Sequence, residues 1–143
     1  MTKLIEEEKV TAKGTLRRSK KFYNAFLALN SDDKIGKFFP VEHYLLAHSI
    51  ELALKSILID KGFPVKNLLS LGHDLEAIVK EVEKTGVCLT IEDLSVLKLT
   101  NKMYKSKEFE YFVKGSNFVP KLKDLLALST KIFNSPEITK IES

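Results

Sequence analysis

Apolar residues recur at helical spacing along most of this chain, and no segment shows the strict alternation of a half-buried strand. Phe22, Ala25, Phe26 and Leu29 form the first such stripe, with the i, i+3, i+4, i+7 pattern of one helix face. Four further stripes follow it. The pattern therefore predicts five helices, with approximate bounds 14–30, 41–61, 73–86, 90–104 and 120–133.

Residues with strong positional preferences support these boundaries. Gly62 and Pro64 end the second helix, and Asp74 is placed to cap the third. Thr90 and Asp93 have the spacing of a capping box, with aspartate in place of the usual glutamate. Beyond the fifth helix, we expect Pro136 and the polar tail to fray.

Five amphipathic segments joined by short connections predict an all-α fold, an antiparallel four- to five-helix bundle. The second segment is apolar nearly all round, which places it at the centre of the bundle. A length of 143 residues fits a single domain over 1–143, with an ordered core of about 14–134. No internal repeat or low-complexity segment divides it.

Composition excludes several classes of protein. Hydrophobic residues at 44% and charged residues at 29% are ordinary for a globular chain and argue against disorder. The longest apolar run, within 44–59, is interrupted by His48, Glu51 and Lys55 and falls short of a membrane span. The first residues lack the apolar core of a signal peptide, so we expect a cytoplasmic protein without membrane contact. Cys88, the one cysteine, excludes an intrachain disulfide, and we expect it to be buried.

The second helix carries an unusual polar stripe. Tyr44, His48, Glu51 and Lys55 are three or four residues apart, so they stack along one face of an otherwise apolar helix. Buried charge is costly unless it is paired. Glu51 and Lys55 therefore either pair at i, i+4 or point into a cavity or an interface.

This stripe is part of a wider sequence pattern. It continues through Gly62-Phe63-Pro64 to Gly72-His73-Asp74-Leu75, just before another amphipathic helix. The helix itself shows the spacing small-x-x-x-Glu-x-x-Leu-Lys-small at Ala47, Glu51, Leu54, Lys55 and Ser56. From about Lys20 to Phe133 the chain resembles the HEPN domains, small all-α prokaryotic proteins often encoded beside minimal nucleotidyltransferases. The resemblance implies a helical bundle that commonly dimerises.

The pattern and the resemblance together select candidate binding residues. These are His48, Glu51, Lys55, His73, Asp74 and Tyr104. Asp74 also has a structural explanation, as a helix cap, and His73 could pack beneath that helix start. Tyr104 is expected to be a half-buried anchor.

The catalytic motif of HEPN ribonucleases is missing. Active members carry an arginine followed four to six positions later by a histidine, so that a cation holds the phosphate while an imidazole moves protons. Here the two arginines are Arg17 and Arg18, and the nearest downstream histidine is His43. Lys105 follows Tyr104 where many members have arginine. We therefore expect no ribonuclease activity and assign no catalytic residue.

The net charge and the remaining motifs give little further evidence of function. A net charge of +4 and a pI near 9.0 permit contact with nucleic acid without requiring it. Arg17, Arg18, Lys20 and Lys21 are a weak candidate nucleic-acid surface, although such runs are usually solvated helix faces. His43 and His48 are five residues apart, which does not suit a helical metal site, and no glycine-rich phosphate loop occurs. We expect no metal and no cofactor.

Three functions fit these observations. The favoured one is a non-catalytic HEPN-like binding or assembly module, partnered with a nucleotidyltransferase in a toxin–antitoxin-type or nucleotide-related system. The second is a divergent HEPN ribonuclease or RNA-binding toxin, with RNA or a nucleotide as ligand. The third is a structural or regulatory interaction protein with no nucleotide ligand. Phe38 and Phe39, adjacent and apolar before the second helix, indicate a homodimer.

Overall fold

The computed structural model describes residues 10–30, 38–106 and 120–143, and within these ranges the chain is helical without any strand. The all-α class predicted from the sequence is thus confirmed for the described residues. Their seven helices are α1 (Ala12–Leu29), α2 (Val41–Asp60), α3 (Val65–Leu71), α4 (Leu75–Lys84), α5 (Ile91–Lys105), α6 (Leu122–Phe133) and α7 (Pro136–Glu142).

Helix starts follow the capping signals of the sequence. The Asp74 carboxylate accepts a hydrogen bond from the backbone N–H of Ala77, 3.3 Å away, at the start of α4. At the start of α5, Thr90 and Asp93 form both bonds of a capping box, each 3.1 Å long. These interactions satisfy backbone donors that the first turn of a helix leaves without partners.

Helix α2 lies at the centre of the described fold and contacts α1, α4, α5, α6 and α7. Its buried residues occur on every side of the helix, which explains why it lacks a single apolar stripe. Helices α1 and α2 pack closely in antiparallel orientation. At their contact, Ser19 donates a hydrogen bond of 2.6 Å to the carbonyl of Ser49.

The α4–α5 and α5–α6 pairs are also antiparallel. Asp74, at the start of α4, accepts a 2.9 Å hydrogen bond from Asn101, near the end of α5. Asp93, in the first turn of α5, pairs with Lys131 in the last turn of α6 at 2.6 Å. Each ion pair or hydrogen bond joins the beginning of one helix to the end of the next, as an up-and-down bundle requires.

Two short helices were not predicted. The expectation that Pro136 and the tail fray is wrong, because Pro136 occupies the first turn of α7 and Ser135 caps that helix. Ile138 and Ile141 are 0% and 4% exposed, so α7 is held by burial against α1, α2 and α6. Helix α3 is held differently, since Leu68 is its one buried residue.

Cys88 is exposed, which corrects the expectation that it is buried. It lies in the connection 86–89 between α4 and α5, where Val87 and Leu89 are half-buried and Cys88 between them points outward. Alternate residues of an extended segment face opposite sides.

Among the described helices, none is both long and apolar enough to cross a membrane. Residues 31–37 and 115–117, which lie between the predicted helices, are outside the described residues.

Candidate functional site

Glu51 is the centre of a polar cluster inside the bundle, with a side chain only 2% exposed. One carboxylate oxygen accepts hydrogen bonds from His73 Nδ1, at 2.8 Å, and from the Tyr104 hydroxyl. The other accepts from Lys55 Nζ at 2.7 Å. His48 joins through Tyr104, at 2.7 Å from its hydroxyl. We call these five residues the Glu51 cluster.

Three parts of the fold supply the cluster. His48, Glu51 and Lys55 come from the predicted stripe of α2, and His73 comes from the link between α3 and α4. Tyr104 comes from the last turn of α5. Lys55 also donates to the carbonyl of Gly72, 2.8 Å away, so one ammonium group fixes both the carboxylate and the chain before α4.

The hydrogen-bonding network assigns the protons of the two histidines. A carboxylate accepts only, so His73 carries its proton on Nδ1 where it meets Glu51. The single hydroxyl proton of Tyr104 goes to Glu51, so His48 Nδ1 must donate to the Tyr104 oxygen. In the neutral form each imidazole then has its acceptor lone pair on Nε2.

Glu51 is ionised in this environment. Burial by itself raises the pKa of Glu51, but the hydrogen bonds from Lys55, Tyr104 and His73, together with the Lys55 charge, outweigh burial and hold the pKa below its ordinary value. The cluster is therefore a buried anion neutralised by one lysine, with three further polar groups arranged around it.

Asp74 belongs to a neighbouring network rather than to the Glu51 cluster. Besides capping α4, it accepts from Asn101 and pairs with Lys105 at 3.1 Å. Burial raises the pKa of Asp74, and these hydrogen bonds outweigh burial and lower it overall. Asn101 also accepts a 2.8 Å bond from the backbone N–H of Leu75. This network explains Asp74 as a structural residue.

Aromatic rings surround the exposed side of the cluster. The ring of His48 meets the ring of Phe22 edge-on, with centroids 4.4 Å apart, and stacks on Tyr44 at 5.6 Å with an angle of 7°. His73 meets Tyr104 edge-on at 5.9 Å. The side chain of His73 is 52% exposed and that of His48 is 18% exposed. We call Phe22, Tyr44, His48 and His73 the aromatic face.

The four basic candidates lie on α1. Lys20 forms an ion pair with Glu142 of α7 and lies over the ring of Phe133. Arg17, Arg18 and Lys21 are exposed and form no ion pair within the described part of the chain. They keep their charge at the surface of α1.

No group of three or more histidine, cysteine, aspartate or glutamate side chains in the described ranges could hold a metal ion. The histidine rings of the cluster have their centroids 6.3 Å apart and both direct Nδ1 to protein partners.

Of the six candidate binding residues, the structure therefore brings five together and leaves Asp74 beside them. Sequence reasoning did not identify Asn101 or the carbonyl of Gly72 as parts of these networks. Asn101 did carry a signal, because it is a polar residue on the buried stripe of α5. The Gly72 carbonyl carried no such signal, since every residue has a backbone carbonyl.

No family model matches the chain. No curated protein and no solved structure matches it either.

Proposed function

We propose that the chain is a non-catalytic, HEPN-like binding and assembly module whose contact surface is the aromatic face. The observation that carries the proposal is a buried, ionised Glu51 beneath a partly exposed set of rings, with the cluster's lysine already committed to internal partners. The HEPN assignment rests on the sequence resemblance.

The electrostatics of the cluster favour binding over phosphodiester cleavage. Cleavage needs a cation free to stabilise the negative charge that develops on the phosphate. Lys55 is held by Glu51 and the Gly72 carbonyl, and Lys105 is held by Asp74. The chain's two arginines lie on α1, outside the cluster. The polar groups here hold the fold and orient the histidines.

The aromatic face has the character of an interface. Aromatic residues are enriched where proteins meet, and rings held in place by neighbours lose little conformational entropy on binding. Phe38 and Phe39, 39% and 37% exposed, and Val41, 49% exposed, add apolar surface at the start of α2. We propose a homodimer through this region, and a nucleotidyltransferase as the partner that the resemblance suggests.

Light scattering coupled to size-exclusion chromatography tests the assembly. We expect a dimer at tens of micromolar that dissociates in a Phe38→Ser/Phe39→Ser variant and in Tyr44→Ala. Ile91→Ser is the matched control, because Ile91 is 80% exposed at the first position of α5, the opposite end of that helix from Tyr104. A monomeric wild-type protein would contradict the homodimer, and equal effects of the control would contradict the location.

One observation favours the divergent ribonuclease as a second candidate. Glu51 accepts from His73 Nδ1, which orients the imidazole and leaves Nε2 without a role in that bond, on a side chain that is 52% exposed; a general acid–base pair has the same arrangement. Single-stranded RNA incubated with the protein in EDTA decides between the two. We expect no cleavage. Robust cleavage that is lost in His73→Ala and kept in Cys88→Ser would establish the ribonuclease instead.

A further inference from the structure

The positive charge of this protein is concentrated on α1. Between Lys13 and Lys21 this helix carries five lysines and arginines, and none of its 18 residues is acidic. Helix α1 therefore has a charge of +5 while the whole chain has +4, so all residues outside α1 sum to −1. The basic character of the chain is thus a property of one helix.

Three of these residues form a line along the outer side of α1, which we call the basic stripe: Lys13, Arg17 and Lys21. All three are exposed, and because they are four residues apart they follow one another at about 6 Å along the helix axis, about 12 Å in all. The buried residues of α1 lie on the opposite side of the helix: Thr15, Leu16, Ser19 and Phe26. The basic stripe therefore faces away from the bundle.

Most of this charge has no partner within the protein. Lys20 pairs with Glu142 of α7. The basic stripe and the exposed Arg18 beside it form no ion pair in the ranges that the structure describes. Four positive charges on one helix are therefore available to a negatively charged partner.

The placement of these charges opposes the stability of α1 itself. Acidic side chains stabilise the N-terminal end of a helix and basic ones the C-terminal end. Helices α4, α5, α6 and α7 all have an acidic residue in the first turn and a basic one in the last. Helix α1 has neither, and its first turn holds Lys13 instead. Like charges four residues apart add repulsion along the stripe.

This arrangement indicates a partner and not merely a solvated surface. Water would solvate the same charges equally well in the order that the helix dipole favours. Residues that break a local rule of helix stability are expected where they serve function. The basic stripe therefore marks a site of contact with an anion at least as long as the stripe.

Duplex DNA matches the length and the chemistry of the stripe. It carries one negative charge per about 1.7 Å of its axis, or about seven charges along 12 Å. Lysine and arginine side chains only donate hydrogen bonds, which suits phosphate oxygens and offers no acceptor to the 2′-hydroxyl of RNA. Single strands are bound largely by stacking on aromatic rings, and the stripe contains none.

We propose that the basic stripe and Arg18 form a docking surface for the phosphate backbone of duplex DNA, which binds without sequence preference. The four cations contact about three to four phosphates, and the release of counterions from the DNA drives binding. The proposal does not depend on the HEPN assignment or on the aromatic face.

Fluorescence anisotropy of a labelled DNA duplex of about 20 base pairs measures this binding. At about 50 mM salt we expect a dissociation constant in the micromolar range. Raising the salt to about 200 mM should weaken binding about 40- to 150-fold, because the logarithm of the binding constant falls with a slope of about −0.9 per contacted phosphate. Duplexes of different sequence should bind equally.

Charge-removing variants locate the surface. Arg17→Gln and Lys21→Gln should each weaken DNA binding about three- to eightfold at about 100 mM salt and reduce the salt slope by about one. Lys80→Gln is the matched control. It removes the same charge from an exposed position of α4, whereas α1 packs against α2 and α7, so DNA binding should not change.

Lys13→Gln separates a role in binding from a role in folding. It removes a positive charge from the first turn of α1, so the midpoint of urea unfolding should stay level or rise while DNA binding weakens. A lower midpoint together with unchanged DNA binding would assign Lys13 to the fold and count against the proposal.

The proposal is overturned if Arg17→Gln and Lys21→Gln bind DNA as Lys80→Gln does. It is also overturned if the same change in salt weakens binding by no more than about fourfold, the effect of a single phosphate contact. Tighter binding of duplex RNA, or of polyglutamate at equal charge concentration, would overturn the assignment to DNA and point to RNA or to an acidic protein.

Discussion

Replacing Glu51 with alanine should destabilise the protein by about 3–5 kcal/mol, the cost typical of breaking a buried ion pair. The carboxylate accepts three hydrogen bonds, and bonds to charged groups are worth about 1.5–3 kcal/mol each. The bond from His73 counts for less, because half of that side chain is exposed. Lys55, only 15% exposed, would keep a charge without its carboxylate partner.

Denaturant unfolding followed by circular dichroism measures this cost in Glu51→Ala, Lys55→Ala and the double variant. We expect the double variant to lose about 1–3 kcal/mol less than the sum of the single losses, because either single change already breaks the pair. Glu81→Ala is the control. It breaks the Lys84–Glu81 pair, in which the lysine is 74% exposed, and should cost no more than about 1 kcal/mol.

The loss of stability in Glu51→Ala should depend on pH. The folded-state pKa of Glu51 is lowered, so its contribution is complete above the ordinary value of 4.5 and is lost as pH falls through the folded-state pKa. The difference in stability between wild type and Glu51→Ala should therefore shrink in acid. A loss near that of Glu81→Ala, without coupling to Lys55, would refute the account of Glu51 as a buried, paired charge.

Three further outcomes are expected. Burial lowers the pKa of His43 despite its hydrogen bond to the Pro120 carbonyl and the nearby charge of Glu42. The stability of the protein should therefore fall as pH drops below 6.5, by at most about 1.4 kcal/mol per pH unit. The free energy of unfolding should differ less between pH 7.5 and pH 5.5 in His43→Gln than in the wild type. Ile138→Ala should cost about 2–5 kcal/mol in denaturant unfolding, and a cost below 1 kcal/mol would mean that α7 frays. Cys88 should react with dithiobisnitrobenzoate in the native protein as fast as in denaturant, and a reaction limited by unfolding would place it inside.

Local rules predicted the parts of this fold that depend on neighbouring residues. The Asp74 cap and the capping box of α5 follow from side chains three residues from the backbone groups they bind. The Glu51–Lys55 pair was one of two alternatives allowed by the i, i+4 spacing, and the structure shows it. Such interactions need only helical geometry.

The contacts between Glu51 and residues distant in the chain could not be predicted from the sequence. His73 and Tyr104 lie 22 and 53 residues from Glu51, and only the packing of α2 against its neighbours brings their side chains to one carboxylate. Helix α7 was missed for another reason. The polar tail from Pro136 onward is expected to fray, although a serine before a proline and a glutamate is also a helix-start signal.

The central position of α2 has a consequence for hydrogen exchange. Its amides are covered by five other helices, so they exchange with solvent only when the bundle as a whole opens, at a rate that reports the global free energy of unfolding. Helix α3, anchored by Leu68, should open in separate local events and exchange much faster.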